Sequence, residues 1–168
     1  RQMCIIDRAG IGKSEVAKAY AQTNRKKYTN IIYLYYTGDL RKDIANLTFA
    51  DDSVEMNEEV RFQNHYKVMQ RLHTDTLLIL DNFNVLPKDE PFLKELMKND
   101  MQLLITSRCK LKNYDSIEIK ELDKEKELTE LFYKHCPSAK RDPDSVSAII
   151  EEVNCHTLTV CMAALTLE

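Results

Sequence analysis

Glycine is scarce in this chain, at 3 residues of 168. Glycine admits left-handed backbone and lets a main chain approach a ligand closely. With so few, each position is informative. The chain also lacks an apolar run of membrane-spanning length, which argues against a spanning helix. It shows no secretory pattern at its start, so a cytoplasmic protein is expected. It has no excess of positive charge. A net charge of −3 removes the electrostatic case for a nucleic-acid partner or an anionic membrane surface. Internal repeats, linkers and low-complexity tracts are missing as well. The 5 cysteines, Cys4, Cys109, Cys136, Cys155 and Cys161, are odd in number and scattered, with no C-x-x-C spacing. The neighbouring pairs His135-Cys136 and Cys155-His156 suit a tetrahedral zinc site poorly, so buried thiols are the simpler expectation.

What remains is an ordinary globular composition, 43% hydrophobic and 30% charged. There is room for one sizeable domain with a small helical addition. Because the sequence opens almost directly on a strand and closes in an apolar helix, it is expected to be a piece of a longer protein.

Two of the glycines, Gly10 and Gly12, stand in Asp7-Arg8-Ala9-Gly10-Ile11-Gly12-Lys13-Ser14. The apolar run Met3-Cys4-Ile5-Ile6 precedes this stretch and reads as a buried strand. The following segment, with Val16, Ala17, Tyr20 and Ala21 at helical spacing, reads as a helix. Strand, glycine loop, Lys-Ser and helix is the context of a phosphate-binding P-loop. Its backbone N–H groups and the helix dipole face an anion. Lys13 then reaches the terminal phosphates and the Ser14 hydroxyl takes a Mg²⁺ position. The nucleotide-binding stretch expected on this basis runs from Asp7 through Ser14 to Glu15. A strand-to-helix turn that binds nothing is the alternative.

Further along, Ile31 to Tyr36 is continuously apolar and suits a central strand of a parallel sheet. Leu40, Ile44 and Leu47 recur at helical spacing. Asp51 to Glu59 is acidic and reads as a surface loop. Val60, Asn64, Tyr66, Val68, Met69 and Leu72 suggest a helix packed on the sheet. Thr76 to Asp81 places four aliphatic residues before an aspartate, which resembles a Walker B strand with Asp81 serving Mg²⁺. An aspartate that merely caps a turn is the competing reading. Pro91 to Lys98 is a short helix. Met101 to Arg108 is a further buried strand, whose Arg108 either senses a γ-phosphate or pairs with a surface carboxylate. Ile117 to Ile119 reads as a last edge strand. From Leu122 only helices follow. One carries Leu128, Leu131, Phe132 and His135, and Pro137 stops it. The second has Asp144 as its expected N-cap, and the third runs from Thr157 to Leu167.

The order of these stretches resembles the nucleotide-binding core of the STAND signalling ATPases, in particular the NB-ARC type. Gly10 to Ser14 matches the P-loop, Leu77 to Asn82 the Walker B motif, Leu103 to Arg108 the sensor strand, and Asn154 to Thr159 the Gly-x-Pro-Leu-Ala region. The resemblance implies a five-stranded parallel P-loop NTPase sheet flanked by helices over residues 1–120. A small all-helical domain is implied over 121–168. It further implies bound ATP or ADP with Mg²⁺ on Ser14 and Asp81, and Arg108 as phosphate sensor. His156 and Thr157 would close over the nucleotide. The implied partners are other domains of the same longer chain and further copies that assemble in response to nucleotide. Three residues depart from the pattern. Asp7 replaces the first P-loop glycine, Thr157 replaces the proline, and Asn82 stands where many relatives carry a second acid. An amide cannot act as a general base, so Asn82 implies slow hydrolysis at best. An active ATPase of the AAA+ type and a nucleotide-free scaffold are the alternatives.

Overall fold

A computed structural model describes residues 2–50, 52, 53, 55–111 and 114–168. Five strands form one sheet in the order β2-β3-β4-β1-β5, and every neighbouring pair is parallel. The strands are β1 (Gln2–Ile6), β2 (Asn30–Tyr35), β3 (Thr76–Asp81), β4 (Gln102–Ser107) and β5 (Asp115–Glu118). Parallel strands need crossover connections, and the helices supply them: α1 (Lys13–Thr23), α2 (Leu40–Ala45), α3 (Glu58–Met69) and α4 (Phe92–Leu96). The α/β sheet flanked by helices is thus the expected one. Strand β3 is buried along its whole length, which is why Leu77 to Leu80 reads as an unbroken apolar run. Its Leu78 and Leu80 pack with Leu34, Ile44, Phe83 and Ile105 into the main core.

Strand β2 departs from expectation. It lies at one edge of the sheet, not at its centre. Tyr33 is 37% and Tyr35 54% exposed, while Leu34 between them is buried. Tyrosine covers a sheet face with its ring and keeps its hydroxyl in polar surroundings, so an aromatic run does not separate an edge strand from a central one. Helix α3 also turns a different face inward from the one its valines suggest. Phe62, His65 and Met69 are buried, whereas Val60 and Val68 are exposed. The last strand does lie at the opposite edge.

Of the acidic stretch expected as a surface loop, Asp51 and Val54 lie outside the described residues. Asp52 is put to structural use. One carboxylate oxygen accepts the Phe49 N–H at 2.7 Å and the other faces His65 Nε2 at 2.6 Å. The remaining ring nitrogen, Nδ1, donates to the Ile44 carbonyl at 2.8 Å. The Phe49 N–H, and after it His65, hold the Asp52 carboxyl below its ordinary value of 3.8. A carboxyl whose folded-state value is the lower one contributes fully above its ordinary value, and that contribution fades as the pH falls through the folded one. Urea unfolding should therefore find the protein more stable than Asp52→Asn at about pH 5. That difference should shrink below about pH 4. A difference that held constant through the acid range would show that the carboxylate plays no such part.

The chain divides into two compact units, residues 2–7 with 13–118 and residues 8–12 with 119–168. The second unit is helical. A π-type turn (Lys124–Leu128) leads into α5 (Thr129–His135), followed by α6 (Pro143–Glu152) and α7 (Thr157–Leu167). Its core is made of Leu128, Phe132, Val146, Ile150, Val160 and Ala164. The N-cap of α6 is Asp142, whose side chain accepts the Ser145 N–H, and not Asp144. Proline suits the first helical position, so the cap falls on the residue before Pro143. Helix α7 leaves Leu158, Met162, Leu165 and Leu167 more than half exposed.

Candidate functional site

The parallel order puts the carboxyl ends of β1, β3 and β4 on one edge, where ligands of open α/β sheets bind. Strand β4 lies between β1 and β3. Ile6 pairs with Ser107 and Leu80 with Ile105, which brings Asp81 beside Thr106. Around Asp81, 1% exposed, three hydroxyls converge. Ser14 Oγ donates to Oδ1 at 2.8 Å, Thr106 Oγ1 donates to the same oxygen, and the Tyr33 hydroxyl donates to Oδ2. A buried carboxylate needs such donors to offset its lost hydration. The sequence pairing of Ser14 with Asp81 is thereby met in space across 67 positions of chain.

Lys13 opens α1, and its Nζ donates to the Asp7 carbonyl at 2.7 Å. Burial lowers its pKa, and Arg108 acts in the same direction, while Asp7 and Asp81 oppose both. The Asp7 N–H donates to the Ser107 carbonyl at 3.3 Å, so this residue, standing where a glycine is usual, serves the sheet edge through its backbone. Glu15 points elsewhere: it accepts a hydrogen bond from Lys18 on the exposed surface.

Asn82 adopts a left-handed backbone, φ 64°, a conformation asparagine tolerates better than most residues. Both ends of its side-chain amide are engaged. The amide nitrogen donates to the Tyr36 carbonyl at 3.2 Å, and the amide oxygen accepts from Asn84 Nδ2 at 2.5 Å. Asn84 Oδ1 accepts the Arg108 N–H at 2.8 Å. The Asn82 N–H donates to Thr106 Oγ1 at 2.9 Å. These bonds tie the end of β3 to the end of β4 and hold Thr106 against Asp81. The Arg108 side chain is exposed.

Sequence reading missed Tyr33 and Asn84. Tyr33 pairs with Ile79 in the ladder, two residues before Asp81. A tyrosine ring spans about two strand rises of ~3.3 Å each, so its hydroxyl reaches the aspartate. Burial, followed by the neighbouring Asp81, pushes the Tyr33 phenol well above its ordinary value, and it remains a donor. The signal available in the sequence was a pair of tyrosines, Tyr33 and Tyr35, in the strand that pairs with the motif strand.

The remaining loop residues belong to the helical unit. Gly10 has φ +75° and Gly12 φ +101°. A methyl on Gly10 would lie 2.4 Å from His156 Cε1, whereas a methyl on Gly12 would meet nothing within 4 Å. His156, the residue before α7, donates from Nε2 to the Ala9 carbonyl at 3.0 Å, and its Nδ1 accepts from Thr159 Oγ1 at 2.9 Å. Arg8 pairs with Glu121, both exposed. Ile11 is 7% exposed, and Thr157 begins α7.

The donor set fits Mg²⁺. Ser14 and Asp81 present hard oxygens at hydrogen-bond distance, and Mg²⁺ is commonly held by one or two protein oxygens plus phosphates and water. Among the described residues no group of three or more His, Cys, Asp or Glu could hold a metal by itself. The ammonium of Lys13, at the start of α1, fits a phosphate. Burial raises the Cys4 thiol to about 11, which makes it an inert core group. Among the described residues no helix is long and apolar enough to cross a membrane.

No protein-family model matches the chain, and no curated protein matches it. Among solved structures it is similar to the Hsp104–ADP complex of S. cerevisiae, with a TM-score of 0.58 at 13% identity over 98% of this chain. The chain spans 27% of the length of that protein. At this identity the likeness shows the fold alone, and that fold is P-loop NTPase-like.

Proposed function

We propose that this chain is the adenine-nucleotide-binding module of a larger regulatory ATPase of the STAND type. The observation that carries the reading is the convergence of Ser14 and Thr106 on the buried Asp81 carboxylate, with Lys13 at the start of α1. In this reading the Arg8 to Gly12 backbone and Lys13 bind phosphates, Ser14 and Asp81 hold Mg²⁺, and Arg108 answers to the γ-phosphate. His156 and Thr157 are assigned to the nucleotide by the family resemblance. The nucleotide domain is taken as 1–120 and the helical domain as 121–168.

When bound, Mg²⁺ supplies charge neutralisation at the phosphates. The chain itself binds and orients. Asn82 cannot take a proton from water, and its amide is already held by Tyr36 and Asn84. Slow turnover follows, which suits a switch whose states persist as long as the nucleotide does. The ADP carried by the Hsp104 structure agrees with an adenine nucleotide, as does the fold. In the whole protein the bound nucleotide would govern contacts with other domains and with further copies.

A fluorescent ADP analogue tests the reading. It should bind saturably in the presence of Mg²⁺ and be displaced by unlabelled ATP and ADP. A signal that neither nucleotide displaces would overturn it.

A further inference from the structure

We infer that the Tyr33 hydroxyl is a latch on Oδ2 of Asp81 that competes with Mg²⁺ for this carboxylate. The inference rests on the nucleotide-binding reading above. The two oxygens of Asp81 are used differently. Oδ1 takes the hydroxyls of Ser14 and Thr106, both from elements that border the candidate phosphate site. Oδ2 takes the hydroxyl of Tyr33, which comes from the edge strand β2. With Asp81 1% exposed, bulk water has little access to either oxygen, so these hydroxyls satisfy the charge.

A hydroxyl proton and a metal ion, or a water bound to that ion, compete for the same lone pairs of a carboxylate. The donors on Oδ1 have reason to stay, because Ser14 is itself a candidate metal ligand and Thr106 is anchored by the Asn82 N–H. Tyr33 has an alternative. It is 37% exposed and lies on the edge strand, so a turn of the side chain away from Asp81 would put its hydroxyl in water. A latch of this kind makes metal binding at Asp81 depend on breaking one bond. It raises the Mg²⁺ concentration the module needs and couples the position of β2 to occupancy of the site.

The test is a Mg²⁺ titration of fluorescent ADP binding to the purified chain, with EDTA affinity as each protein's own reference. Wild type, Tyr33→Phe and Asp81→Asn are compared. Removing a hydrogen bond to a charged acceptor should lower the Mg²⁺ midpoint of Tyr33→Phe by roughly tenfold. Asp81→Asn should lose the Mg²⁺-dependent tightening. General damage to the fold would weaken binding and could not lower that midpoint, so the direction identifies the latch. An unchanged or raised midpoint in Tyr33→Phe, with wild type binding normally, overturns the latch alone. Absence of displaceable nucleotide in wild type overturns the nucleotide reading and the latch with it.

Discussion

Lys13→Ala should bind ADP or ATP about a hundredfold more weakly than the unaltered chain, with little change in stability. The two parts of that expectation have separate causes. In the structure the ammonium makes a hydrogen bond to the Asp7 carbonyl at 2.7 Å, and such a bond contributes about 1–2 kcal/mol at most in a half-exposed setting. Its loss leaves the sheet edge held by the Asp7 N–H and the Ser107 carbonyl. Towards a phosphate the same ammonium makes charge-assisted bonds. Burial already lowers its pKa, which marks a partly desolvated site where those bonds are stronger than in water. Two of them, at about 1.5 kcal/mol or more each, give roughly 3 kcal/mol, or a factor near 150. Equilibrium titration with a fluorescent analogue and a urea melt of the same preparation measure the two quantities independently. A loss of binding matched by a loss of stability would point to damage and not to a missing phosphate contact.

Gly10→Ala should cost about 3 kcal/mol of stability, against about 1–2 for Gly12→Ala. Both positions carry positive φ, so both substitutions meet the steric penalty of a side chain in the left-handed region. Only at Gly10 does the added methyl also meet an atom it cannot avoid, the His156 ring at 2.4 Å. The ring is fixed by bonds at both nitrogens, so it cannot turn aside without breaking one of them. In a His156→Ala background the cost of Gly10→Ala should therefore fall towards that of Gly12→Ala, with Leu158 Cβ at 3.2 Å retaining a part of it, a coupling that a double-mutant cycle in urea measures. Equal costs in the two backgrounds would mean that His156 does not occupy the space above Gly10. Gly10 thus has a packing reason beside its phosphate reason, and Gly12 has the open face.

The two motif strands were legible because β3 is buried from Thr76 to Asp81, so its apolar run and its terminal aspartate stand out. The loop before Lys13 was legible because glycine is rare elsewhere. The position of β2 was not. Ile31 to Tyr36 is as apolar as a central strand, and only the neighbours decide that Tyr33 and Tyr35 are partly exposed at the edge. The inner face of α3 was hidden for a related reason. His65 counts as polar in any periodicity, yet two acceptors, Ile44 and Asp52, allow it to be buried. The Asp142 cap was displaced by one simple rule of proline geometry. In the site, the pairing of Ser14 with Asp81 followed from motif order. The contribution of Tyr33 depends on a ladder register, Tyr33 beside Ile79, that no local pattern encodes. Asn84 likewise acts by bridging Asn82 to the Arg108 backbone, a contact across 24 positions.

The central claim is that this fold holds an adenine nucleotide through Lys13, Ser14 and Asp81. Isothermal titration calorimetry with ADP in Mg²⁺ buffer tests it most directly. Saturable heat at one nucleotide per chain is expected for the unaltered protein, and its disappearance in Lys13→Ala. The same heat in both proteins, or none in the unaltered one, would contradict it.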